Sequence, residues 1–137
     1  MITIPFLVVA LIVHLVVDYH KHAKQTPIEH WQSALYVVGV SAIMGLLNFA
    51  VTGISIYLFV IASLGIHFAL FDFIWNFANH KPMFYHGLVT SDTSSLMDRF
   101  WSRVPPAGEV LFKVIILYGA LEVYYNWSLI YNGILTN

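Results

Sequence analysis

Four long apolar runs, at positions 2–19, 31–50, 54–78 and 110–130, constrain this chain more than any other feature. Each is close to the ~20 residues that carry an α-helix across a bilayer. Together they take up most of the 137 residues and leave no room for a separate soluble domain. Only 9% of the chain is charged, against about 25% in an ordinary soluble domain. The expected fold is all-α: a four-helix transmembrane bundle forming one integral-membrane domain over 1–137, with spans near 2–20, 31–51, 54–79 and 109–132.

The charges outside these runs set an orientation. All six Lys and Arg residues, at 21, 24, 81, 99, 103 and 113, fall in or beside the first and third connections. The turn near Thr52 and Gly53 and both ends of the chain carry none. Basic loops stay on the cytoplasmic side, so both termini are expected outside and the loops 20–31 and 80–109 in the cytoplasm, in a bacterial inner membrane or a phage membrane. No Lys or Arg precedes the first apolar run, and His14 and Asp18 interrupt its end. It therefore reads as a retained first helix and not a cleaved signal. A formal net charge of −1 with no basic run gives nucleic-acid binding no support. With no cysteine, disulfides and thiolate chemistry are excluded.

The third connection contains DTSSLMDRFWSRV at 92–104, which reads as a short amphipathic helix between spans three and four. Leu96, Phe100 and Val104 share one side, and Arg99 and Arg103 lie away from it. Such a helix suits the headgroup plane or the mouth of the bundle. Pro105 and Pro106 end it, and Lys113 is expected to snorkel toward headgroups. Trp31, Trp75, Trp101 and Trp127 are expected mainly as boundary anchors.

Within the spans, ionisable and amide side chains recur at helical spacing. His14, Asp18 and His22 are four apart in span one, and Asp72, Asn76 and His80 are four apart in span three. Residues so spaced share one helix face. At ~1.5 Å per residue, His14 and Asp72 lie about 12 Å from the cytoplasmic boundary, and Asp18 and Asn76 about 6 Å. Two ladders of equal pitch entering from one side predict that spans one and three face each other. His67 and Glu122 form a second candidate pair, deeper and on another side of span three.

Two readings of the cluster stand side by side. In one, His14, Asp18, Asp72, Asn76 and His80 are a satisfied hydrogen-bond network that sets helix register. In the other, His14, Asp18, Asp72 and His80 hold a divalent metal such as Zn, Fe or Mn, with Asn76 and His22 supporting it, because imidazole and carboxylate on facing helices suit such ions. A third use is proton movement along His80, Asp72, His14, His67 and Glu122.

The pattern His14-x3-Asp18, Pro27–Ile28–Glu29–His30, Asp72-x3-Asn76 and Tyr85–His86–Gly87 leading to Ser91 and Asp98 resembles small multi-pass membrane proteins of bacteria and their phages. The likeness covers about three quarters of the chain. It implies a membrane location and brings no catalytic role. The first span and its loop are also faintly similar to membrane-bound metal-dependent hydrolases. The functional expectation is a small non-catalytic component of a larger membrane assembly, in contact with lipid and with other subunits or further copies. A metal-dependent hydrolase acting on a lipid-like substrate and a proton- or ion-conducting bundle are the alternatives.

Overall fold

The computed structural model describes residues 3–24, 30–85, 96–127 and 130. It is all-α, with α1 at Thr3–Ala23, α2 at His30–Thr52, α3 at Ile56–Ala78, α4 at Leu96–Trp101 and α5 at Pro106–Glu122. A π-helical turn, Val123–Trp127, continues α5. Three helices, α1 to α3, are long and apolar enough to cross a membrane, as expected for an integral membrane protein. A 23-residue helix such as α2 or α3 is about 34 Å long, enough for a hydrocarbon core of about 30 Å.

Local chemistry explains where the helices begin and end. Pro5 sits in the first turn of α1, where a missing N–H costs nothing. Thr52 closes α2: its Oγ1 donates to the Asn48 carbonyl (2.8 Å) and accepts from the Ile54 amide (3.2 Å). Gly53 follows at φ 72, the left-handed conformation that a glycine adopts without strain. The result is a tight hairpin between α2 and α3. α5 begins at Pro106, three residues before the expected Glu109, because proline is preorganised for the first helical position. Of the amphipathic segment expected at 92–104, Leu96–Trp101 is helical, and 92–95 lie outside the described residues.

α3 is the centre of the assembly and packs against α1, α2 and α5. The core is built from Leu7, Leu11, Phe59, Ala62, Ile66 and Tyr124. Serines bind three helices together. Ser63 donates its one hydroxyl proton to the Leu7 carbonyl of α1 (3.0 Å). Ser41 of α2, 3.1 Å from Ser63 Oγ, is then the donor to it, since a hydroxyl has one proton to give. Outward positions are large and apolar, including Ile12, Val16, Leu35, Ile43, Leu47, Ile61 and Ile115. This inverts the polarity of a soluble protein's surface and suits contact with lipid.

α3 and α5 approach closely. A Cβ placed on Gly65 would stand 2.5 Å from Ala120 Cβ, closer than real carbons approach. Backbones come together there because neither residue fills the gap. Gly65→Ala is expected to destabilise the protein by about 1–3 kcal/mol through overpacking. Thermal unfolding in detergent is the measurement, and Ala120→Gly in the same chain should restore most of the loss.

Candidate functional site

Among the described residues, the buried ionisable groups of the spans fall into two clusters on opposite sides of α3. On the α1 side, His14 Nε2 lies 2.9 Å from Asp18 Oδ2, one helical turn along. Ser33 of α2 donates to the other oxygen of the same carboxylate, Oδ1, at 3.1 Å. The second ring nitrogen of His14, Nδ1, is 2.7 Å from His67 Nε2 of α3. Both His14 and Asp18 are buried. Phe71 stacks on the His14 ring at a centroid distance of 4.2 Å and keeps that face dry.

Asp18, His14 and His67 thus stand in close succession, an ion-pair-range contact between the first two and a hydrogen bond between the two rings.

On the other side of α3, Asp72 meets a residue expected at the headgroups. Lys113 of α5 donates from Nζ to Asp72 Oδ2 at 2.8 Å. The same ammonium lies 2.7 Å from Glu109 Oε1, one turn earlier on α5. Lys113 is 2% exposed and Glu109 1%, so the lysine points into the protein and does not snorkel. Rings of Phe73 and Trp101 stand 4.4 Å and 5.4 Å from Nζ, adding cation–π attraction in a desolvated setting. Trp101 is itself buried, against Phe68 and Phe112, and holds α4 to α3 and α5. Phe100 beside it is exposed, so the short helix both packs under the bundle and offers an outward ring.

The expected facing of the two ladders is thereby divided. α1 and α3 are neighbours, but the rung that meets α1 is His67, while Asp72 turns to α5. Five residues at 100° each put His67 and Asp72 about 140° apart on α3, so they address different helices. Asp18 spends its carboxylate on His14 and Ser33. The anticipated His67–Glu122 pair is not among the contacts: His67 bonds His14, and Glu122 accepts from Asn126.

His80 leaves the ladder for a backbone reason. The His80 amide donates to the Phe77 carbonyl (3.2 Å) and the Lys81 amide to the Asn76 carbonyl (2.9 Å). This pair of reversed bonds is a Schellman ending. It places His80 at φ 54, a left-handed conformation histidine tolerates better than most residues. A residue past the helix end no longer sits above Asn76, and His80 is exposed. Asn76 uses both amide hydrogens on the chain that follows, donating to the Met83 and Tyr85 carbonyls, each at 3.0 Å. It anchors the connection that follows α3. His22 is exposed and meets the edge of Trp75.

Among the described residues, no group of three or more His, Asp or Glu side chains is gathered so as to hold a metal ion. The reason is visible at His14, whose two nitrogens point at different partners and do not converge with Asp18 on one point. For a divalent ion, His14, Asp18, Asp72 and His80 would all have to exchange their present surroundings. Compared with protein-family models, curated proteins and solved structures, the chain has no match.

The Asp72–Lys113–Glu109 cluster is the feature that sequence reasoning missed. Its signal was available in Glu109 and Lys113 at i, i+4. Lys113 lies about 5 Å from the boundary by helical rise, and its four-carbon stem closes the distance to the deeper Asp72. Lys113→Ala removes the ammonium that both carboxylates address. A loss of about 3 kcal/mol is expected, the lower end for a broken buried pair, because Asp72 is partly exposed. Chemical or thermal unfolding in detergent measures it, and Asp72→Asn should cost less, since the lysine keeps Glu109.

Proposed function

We propose that this chain is a small, non-catalytic integral membrane component of a larger membrane assembly. It crosses the membrane four times, with both termini outside and the basic loops in the cytoplasm of a bacterial inner membrane. The fourth span is α5 continued by its π-helical turn, 17 and then five residues, together close to the length a bilayer needs. The observation that carries the reading is the use made of the buried polar groups. Asp18 is tied to α2, His14 to α3, and Asp72 to α5. Tyr124 of the π-helical turn donates to Asn48 of α2 at 3.3 Å. Each of these side chains fixes one helix against another, as register devices do, and the outward faces are left to lipid and partners.

Isolation of the full chain from its own membranes in mild detergent tests this. Co-migration with other membrane proteins, or with further copies of the chain, is the expected result. A lone monomer that turns over a lipid substrate would overturn it.

One observation favours a second reading, proton movement: the close succession of Asp18, His14 and His67. Replacing His67 by Phe removes the ring nitrogen that meets His14 while keeping an aromatic ring in place. In proteoliposomes carrying a pH-sensitive dye, this reading requires proton flux in the parent protein that His67→Phe abolishes. Equal flux from both, or none from the parent, removes it.

A further inference from the structure

The buried residues of α5 and its π-helical turn, Glu109, Lys113, Ala120 and Tyr124, share one side and face α3. The opposite side carries Leu111, Ile115, Tyr118, Gly119, Glu122 and Asn126. At 100° per residue the five on α5 itself cluster within about 100° of arc, centred roughly opposite Ala120. Leu111, Ile115 and Tyr118 are 62%, 58% and 68% exposed. A Cβ added to Gly119 would meet nothing within 4 Å.

This face is not simply apolar. Tyr118, Glu122 and Asn126 stand one turn apart, and Asn126 Nδ2 donates to the Glu122 carboxyl. By contrast, His14, Asp18, Asn48 and Lys113 of the spans turn inward. An acidic side chain within a span is expensive against hydrocarbon and almost always faces protein. α5 also packs chiefly on one helix, α3. A polar ladder on the outward side of the least covered helix calls for a second protein surface.

We propose that a second copy of this chain covers that face, the two α5 helices packing side by side about a two-fold axis along the membrane normal. The ladder is self-complementary. The Tyr118 hydroxyl and the Asn126 amide can donate, and the Glu122 carboxyl accepts. A two-fold offers the donors of each copy to the acceptor of the other, one turn above or below, as an isologous interface requires. Gly119 lets the backbones approach, which membrane helix pairs need. A foreign partner would need only donors at this depth; a ladder holding both donors and an acceptor fits its own image. The inference rests on α5 being the fourth span.

Because the chain has no cysteine, single cysteines report on this directly in the full-length protein in lipid bilayers. Oxidation of Ile115→Cys is expected to give a disulfide-linked species of twice the chain mass. Ile43→Cys, equally outward on α2, should cross-link at least tenfold more slowly. In bilayer dilution followed by energy transfer, Glu122→Leu is expected to weaken pairing at least tenfold, while Glu122→Gln retains most of it. Cross-linking at Ile115 no faster than at Ile43, or a product of another mass, overturns the proposal. A membrane-impermeant maleimide separates the two possible failures. If Ile115→Cys is protected from it yet does not cross-link, the pairing alone is wrong. Rapid labelling from water overturns both the pairing and the fourth span.

Discussion

Hydrocarbon offers no hydrogen bonds, and that single fact organises this protein. A polar group buried without a partner costs several kcal/mol, so each one in the spans must find its complement on a neighbouring helix or along its own. Lys113 shows the rule most clearly. Its ammonium is taken almost wholly out of solvent and is acceptable only because Asp72 and Glu109 both lie within 3 Å. That requirement fixes the rotation of α5, the side of α3 it meets and, through Trp101, the seat of α4.

α3 is central because it carries complements in several directions at once. Ser63 serves α1 and α2 at one level, His67 serves α1 lower down, and Asp72 serves α5. Between these, Gly65 admits Ala120 and lets α5 close onto the helix. The polar contacts choose register, and small residues set distance. Neither alone would determine a unique packing, since apolar side chains make similar contacts after a slip of one turn.

Much of this was legible in the residues themselves. Of the four spans expected from run length, three are helices long and apolar enough to cross a membrane, and the four-residue spacing put His14 and Asp18 on one face, where they meet. The angular separation of His67 from Asp72 was legible too, but their destinations were exchanged. Sequence could not rank the claims of Lys113 and His14 on Asp72, because that ranking depends on how far a lysine stem folds inward. The last rung failed for a different reason. His80 obeys the spacing on paper, yet spacing has meaning only inside a helix, and a pair of backbone bonds ends α3 before that residue.

The π-helical turn at Val123–Trp127 has a consequence for the far end of α5. A wider turn accommodates one residue more than the α-helical count, so it works as a phase shifter in an otherwise regular rod. It allows Tyr124 to look back at Asn48 in the interior while Asn126, two positions on, returns to Glu122 on the outside. Both sides of one short turn are thus addressed without a kink-forming proline. Gaining or losing a single residue here would rotate whatever follows by roughly a quarter circle, making this turn the place where chain length and facial identity are exchanged.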